Sequence, residues 1–304
     1  MTFDGIDEAL IGIIKKIVKE GETVSPRGAE TREILGCRFR LTNPRARCVT
    51  LPSRKWNFSL AVGELCWHMA GSDSLEFISY YSKNWDSFSD DGVCIRGSCY
   101  GHKIFTRKPG FLSQWEKVKL ELSNDVSSRR AVLSFLDCDE GPASMSKDVA
   151  CITSIQFIVR SGRLHCINAM RSNDAIWGLC YDVFLVSMLQ ERLARELNLE
   201  LGWYEHHATS MHVYKKHYEM AEAIMNESPP PFHSMSKMET VKSVPAFLNV
   251  EKLLREGSPT GLTKAPCLPP YWRELAAPLI ELYKQRWGLG YRRQVLIDSA
   301  RPAN

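Results

Sequence analysis

The residues able to do covalent chemistry lie between Ser127 and Tyr214. The stretch opens with SSRRAVLSF, an arginine pair (Arg129, Arg130) leading into a β-like apolar run. VACITSIQFIV then sets the thiol of Cys151 among strand-forming residues. RLHCINAMRSNDAIWGLCYDVF brings Arg171, Ser172, Asp174 and Asp182, and SMHVYKKHY carries His212 and Tyr214. Sulfur is intrinsically nucleophilic, and a nearby cation lowers a thiol's pKa; Arg171 is the candidate cation for Cys151. Arginine's planar fork pairs with two phosphate oxygens at once. A thiol, three arginines, a carboxylate at the end of an apolar segment and a His-x-Tyr pair suit a phosphorylated pyrimidine.

Earlier in the chain, RKWNFSLAVGELCWHMAGSDSLEFI reads as a helix carrying Glu64 among Leu60, Val62, Leu65 and Trp67. A carboxylate flanked so heavily by apolar groups needs a partner or a raised pKa. Arg54 precedes this segment, Arg27 stands in the loop SPRGAE, and NWDSFSDDGVCIRGSCYGHKI supplies Trp85, Asp86 and Tyr100 between turn signals.

Taken jointly, GELCWHMAG, the Trp85–Asp86 pair and the spacing from Cys151 to Arg171, Asp182 and His212 resemble the folate-dependent thymidylate synthases. Within them the chain is more similar to the cytidylate hydroxymethylase branch, over roughly residues 5 to 225. The resemblance implies an α+β fold with a mixed sheet packed by helices, and a homodimer formed through the sheet. It implies Cys151, Glu64 and Asp182 as catalytic groups, and 5,10-methylenetetrahydrofolate as cofactor. Arg27, Arg171 and Ser172 would bind the phosphate, with Arg129 and Arg130 reaching in from the other subunit. His212 and Tyr214 would bind the sugar, and Tyr100 would stand close to the nucleophile. Trp85, Asp86, Asp174 and Arg54 would contact the folate. Asp182 stands where synthases acting on uracil place asparagine, and Ile152 where they place histidine. A carboxylate accepts from the cytosine amino group and faces the lone pairs of uracil O4 unfavourably, so Asp182 is read as selecting cytosine.

The elements that must position these groups follow from pattern. Ile6 to Glu20 repeats apolar residues at helical spacing, with Gly21 as a C-cap. LSQWEKVKLELSND reads as an amphipathic helix, MAEAIM as a continuing helix, and YWRELAAPLIELYKQRW as a helix in a tail without a family counterpart. Helices and strands are mixed rather than regularly alternating, which favours α+β over a doubly wound fold. The expected organisation is a catalytic domain over 1–236 and an extension over 237–304, ending in the polar run SARPAN.

The 304 residues, 44% hydrophobic and 24% charged, fit a globular protein. A net charge of +4 falls short of the basic stripe of a dedicated nucleic-acid binder. Ten cysteines without a CxxC pair argue against zinc, and Cys37, Cys48, Cys66, Cys138, Cys166 and Cys180 read as small buried hydrophobes. The N-terminus lacks a signal-peptide pattern, and the expectation is a reduced cytoplasmic enzyme. Two rival readings stand: a methylating synthase on dUMP or a cytidylate, and a non-catalytic nucleotide- or RNA-binding regulator.

Overall fold

The computed structural model describes residues 1–136, 145–229 and 231–298, with side chains as far as residue 288. Cys138 and the SARPAN run lie outside the described residues. In chain order the elements are β1 (Thr2–Phe3), α1 (Ile6–Glu20), β2 (Glu22–Val24), β3 (Thr31–Leu41), α2 (Phe58–Met69), α3 (Leu75–Ser79), α4 (Tyr100–Phe105), α5 (Gln114–Asn124) and β4 (Val132–Ser134). There follow β5 (Ile152–Arg160), β6 (Arg163–Asp174), α6 (Gly178–Glu196), β7 (Glu200–Tyr214), α7 (Tyr218–Asn226), α8 (Val244–Arg255), α9 (Thr260–Lys264) and α10 (Pro270–Asp298).

The sheet runs β1-β3-β7-β6-β5-β4, with β2 added on β3. The β1–β3 and β6–β7 pairs are parallel, the others antiparallel. This is the mixed α+β sheet the sequence predicts. β5 and β6 form a hairpin on Ser161 and Gly162, both at positive φ (50° and 71°), which matches the twist of a two-residue turn. β6 and β7 need a crossover because they are parallel, and α6 supplies it. The pairings Ile152↔Met170, Asp174↔His212 and Thr31↔Tyr214 bring the start of β5, the ends of β6 and β7 and the start of β3 to one end of the sheet. The candidate groups between Ser127 and Tyr214 are gathered there, except Arg129 and Arg130.

α1 lays its apolar stripe (Ile6, Leu10, Ile13, Ile14, Ile17) into the core and ends at Glu20, as its periodicity predicts. Gly21 is its C-cap, as expected, with its amide donating to the Ile17 carbonyl at 2.9 Å. Its backbone is extended (φ −74°, ψ 144°), not left-handed, and a Cβ there would lie 2.4 Å from the Ile17 carbonyl and 2.7 Å from Arg32 Cγ. Glycine is required by close approach, not by handedness. The segment read as one helix around Glu64 is two. α2 ends at Met69, Gly71 turns left-handed (φ 64°), and Ser74 caps α3 through the Phe77 amide.

The face of the sheet away from α1 and α6 mixes ion pairs with half-buried apolar residues such as Ile158, Ile167 and Trp203. Glu205 on β7 accepts from Arg38 (3.0 Å) and Arg40 (2.8 Å) of β3 and pairs with His207 at 2.8 Å, while Arg40 lies 4.0 Å over the Trp203 ring. Among the described residues, Met238, Glu251 and Tyr271 of the later segment pack on the opposite side. The fully buried Arg47 and Glu191 form an ion pair, Glu191 also takes Arg45 at 2.7 Å and the Met238 amide at 3.0 Å, and Tyr271 donates to Met188 Sδ at 3.2 Å. A second tie runs from Tyr81 to Glu251 on α8 at 2.6 Å.

Candidate active site

Cys151 stands immediately before β5, half-buried, with its sulfur 3.6 Å from Arg171 Nη2. Arg171 is aimed at the thiol because its Nε and Nη2 donate to the carbonyls of Ala150 and Val149, both at 2.8 Å. The Tyr100 hydroxyl accepts from the amides of Cys151 and Ile152, each at 3.2 Å, so the backbone at Cys151 is pinned by α4. The expected cation is in place, yet the thiol is not lowered. Burial pushes it above the ordinary range and outweighs Arg171 and Arg27, while Asp182 and Asp148 push the same way as burial.

Two carboxyls face this corner. Asp182, on the first turns of α6, accepts from Asn173 Nδ2 through Oδ2 at 2.7 Å. Burial raises it to about 7, that hydrogen bond opposes the shift, and nearby Asp174 adds to it. Glu64, in mid-α2, accepts from Trp85 Nε1 at 3.2 Å. Burial raises it to about 8 against that hydrogen bond, with Asp182 adding to the rise. The sequence argument that Glu64 needs a partner or a raised pKa holds on both counts. Asn173 and Trp85 thus serve carboxyls; nothing in local pattern marks Asn173, 9 residues from Asp182, for that part.

At the end of β7, His212 is buried, its ring meeting Tyr214 edge-on at 5.0 Å and its Nδ1 lying 3.4 Å from Ser210 Oγ. Burial lowers the imidazole, opposed by Asp174, which is its register partner on β6. Ser172 pairs with Ser210 two residues earlier. Arg27 is held at φ 52° in the turn before β3 and is close enough to act electrostatically on both Cys151 and Tyr214.

Arg129 and Arg130 do not join this group within the protomer. The Ala131 carbonyl accepts from the Phe157 amide, so the pair lies beside the middle of β5. At ~3.3 Å per residue that is on the order of 20 Å from Cys151. Both are exposed, and their guanidinium groups make no hydrogen bond or ion pair with the described residues.

The residues expected to meet folate are mixed in their placement. Trp85 lies between Trp67 (5.5 Å) and Phe88 (5.7 Å), against Glu64. Asp86 is taken up by the Ser79 hydroxyl. Asp174 accepts the Ile176 amide at 2.8 Å; burial raises it, opposed by that hydrogen bond and by His212 and His217. Arg54 is no surface cation: it is 0% exposed, beneath the half-open Trp177 ring at 4.8 Å, and its three nitrogens find no oxygen or nitrogen partner among the described residues. Trp177 donates to His217 Nε2 at 2.8 Å. The hydrogen-bonding neighbour of Arg54 there is the Cys180 thiol, which burial raises to about 11 against the opposing effect of the guanidinium. No group of residues able to hold a metal ion occurs among the described residues.

Comparison with known proteins agrees with this geometry. The family model described as thymidylate synthase matches residues 9–253. The chain is 30% identical over 235 residues to a deoxyuridylate hydroxymethyltransferase of Bacillus phage SP01, covering 71% of this chain and 60% of that protein. It is 28% identical over 255 residues to the enzyme of the same description from Pseudomonas phage M6, covering 79% and 71%. It is 26% identical over 215 residues to a thymidylate synthase of Buchnera aphidicola subsp. Baizongia pistaciae (strain Bp), covering 69% and 80%. The match thus spans about three fifths of the SP01 protein's own length. With a sheet end that assembles thiol, arginines and carboxyls, and a match over most of its length, the chain belongs to the thymidylate synthase family.

Proposed function

We propose that this chain is a methylenetetrahydrofolate-dependent hydroxymethyltransferase that converts a cytidine 5′-monophosphate to its 5-hydroxymethyl derivative. The observation that carries the base assignment is Asp182, a carboxyl at the thiol corner with Oδ2 held by Asn173. As a carboxylate it accepts from the cytosine amino group and favours a proton on N3. In this reading residues 1–236 carry the chemistry and residues 237–304 brace them.

The phosphate is held by Arg27, Ser172 and Arg171, whose Nη1 is not used in the contacts to Ala150, Val149 and Cys151. Arg129 and Arg130 complete the phosphate site from a second copy. Their distance from their own Cys151 supports a homodimer through the sheet. His212 and Tyr214 take the sugar hydroxyl. Cys151 loses its proton and its sulfur adds at C6, which makes C5 nucleophilic; Asp182 supports the charge that enters the ring. Methylenetetrahydrofolate, when bound, supplies a carbon at the oxidation level of formaldehyde. Trp85 and Asp174 line the approach to it, Asp86 fixes the loop through Ser79, and Arg54 meets the acidic tail once Trp177 moves. Glu64, pushed up to about 8, is protonated at neutral pH and guides the proton and water at C5.

A specific observation favours a second reading. Asp182 raised to about 7 is partly protonated at neutral pH, and a neutral carboxyl donates to uracil O4. Both phage relatives above, and a third from Delftia phage PhiW-14, are described as deoxyuridylate hydroxymethyltransferases. The test is incubation with methylenetetrahydrofolate and each of CMP, dCMP, UMP and dUMP on either side of pH 7, with products identified by mass. Hydroxymethylcytidylate formed faster at the higher pH supports the proposal. Uridylate turnover that falls as pH rises through about 7 supports the second reading, and a methyl product replaces hydroxymethyl transfer with a synthase.

A further inference from the structure

We infer that Asp148 is a positioning residue: it fastens the turn that carries Tyr100 to the strand entry that carries Cys151. Nothing in the reading of the reaction assigns it a part. Its carboxyl is buried, with Oδ2 accepting from the amides of Gly97 (2.8 Å) and Ser98 (2.7 Å) and Oδ1 from Ser98 Oγ (2.6 Å). The turn is pressed onto the strand entry itself. A Cβ on Gly97 would lie 2.3 Å from the Asp148 carbonyl oxygen and 2.8 Å from the Ala150 amide nitrogen, so only glycine allows the approach. Two residues beyond Ser98, the Tyr100 hydroxyl receives the Cys151 and Ile152 amides.

The far side of the same turn is clamped to α2. The Gly101 amide donates to His68 Nδ1 at 3.1 Å, the His68 ring stacks on Tyr100 at 5.7 Å, and a Cβ on Gly101 would lie 2.0 Å from the His68 carbonyl oxygen. Burial lowers His68 to about 3, so its Nδ1 stays an acceptor across the working pH range. His68 follows Glu64 by one helical turn. Segment 97–101 is therefore a rigid spacer between the helix of Glu64 and the backbone of Cys151, and Asp148 is its anchor on the thiol side. The anchor has an electrostatic cost. The charged groups acting on the thiol are Arg171 and Arg27, which favour thiolate, and Asp182 and Asp148, which oppose it. Asp148 serves geometry while disfavouring the reactive form.

The inference rests on Cys151 being the nucleophile, and the test separates the two. Asp148→Asn keeps an acceptor for the two amides and a donor for Ser98 Oγ but removes the charge; Asp148→Ala removes the anchor. Three measurements are made on the full chain: amide hydrogen exchange in the peptide holding Cys151 and Ile152, the pH profile of Cys151 alkylation by iodoacetamide, and tritium release from C5 of labelled cytidylate and of labelled uridylate. Expected for the alanine variant is exchange at least tenfold faster and tritium release at least tenfold slower. Expected for the asparagine variant is exchange like wild type, tritium release within threefold, and an alkylation profile moved to lower pH. Should the alanine variant not fold, Ser98→Ala, which removes one of the three bonds, takes its place with a smaller increase in exchange. Unchanged exchange in the anchor-free variant overturns the inference, as does an asparagine variant as impaired as alanine. Absence of tritium release in wild type from both labelled cytidylate and labelled uridylate sinks the nucleophile reading alone, and exchange and alkylation still decide the role of Asp148.

Discussion

Two regions of this molecule bury carboxyl groups, and they treat them oppositely. In the seam between the sheet domain and the later helices, burial pushes Glu191 up, but Arg47, the Met238 amide and Arg45 outweigh it and hold the carboxylate below its ordinary range. In the pocket, Asp182 and Glu64 have one neutral hydrogen bond each, from Asn173 and Trp85, and burial carries them to about 7 and about 8. Burial acts the same way in both places; the partners decide the outcome. A paired buried carboxylate is a fastening, and one left without a cation exchanges protons near neutrality, where acid–base chemistry needs it.

The largest expected effect lies in the pocket. Cys151→Ser should reduce C5 tritium release and product formation on the order of 10³-fold or more, with nucleotide binding and melting temperature unchanged. Turnover within tenfold of wild type would remove Cys151 from the mechanism. The seam should answer in stability. Arg47→Ala leaves Glu191 buried with a weakened partner set and should cost about 3–5 kcal/mol by denaturant titration. Replacing the pair together (Arg47→Met with Glu191→Leu) should recover most of it, and a single-variant loss under about 1 kcal/mol would contradict the contrast. Arg129→Ala should weaken nucleotide binding by about 2 kcal/mol, and mixing it with Cys151→Ser should restore activity through dimers with one intact site. No recovery in demonstrably mixed dimers would place that arginine outside the partner's pocket.

Stability should also depend on pH, and the sign of that dependence differs between the regions. Folding raises Asp182 from 3.8 to about 7 and Glu64 from 4.5 to about 8. The native state then binds more protons than the unfolded chain between roughly pH 4 and 8, so their contribution is lost as pH rises through that window. Glu191 is lowered by folding, so its contribution is present above its unfolded value and lost as the solution becomes more acid. Glu64→Gln should flatten the loss on the alkaline side and leave the acid side alone. A variant with an unaltered alkaline limb would mean that Glu64 does not hold its proton.

Much of the pocket was legible because its parts are strand ends and helix starts whose spacing survives in one dimension. Cys151, Arg171, Asp182 and His212 lie where their spacing indicates, α1 ends where its apolar stripe ends, and Glu64 has the partner that its apolar neighbours demanded. What escaped depends on contacts far apart in sequence. Arg47 meets Glu191 144 residues away, and Gly97 lies on the Asp148 backbone. Arg54 is expected from sequence to contact folate, and nothing in RKWN shows that it is sealed beneath Trp177. The thiol's raised pKa was missed for a related reason: a cation can be read from sequence, but the depth of burial opposing it cannot. The break of the Glu64 segment into two helices turned on Gly71, whose left-handed backbone a helical pattern does not reveal.

The central claim is that the uncompensated carboxyl of Asp182 reads the base. The most direct measurement is kcat/KM of wild type and Asp182→Asn on matched cytidylate and uridylate substrates. The substitution keeps size and exchanges one acceptor for a donor, which matches uracil. The account predicts that wild type favours cytidylate and that the variant shifts relative kcat/KM toward uridylate by about 3 kcal/mol or more, with sugar preference unchanged because His212 and Tyr214 are untouched. A wild-type enzyme that already favours uridylate, or a variant whose base preference stays where it was, would contradict it.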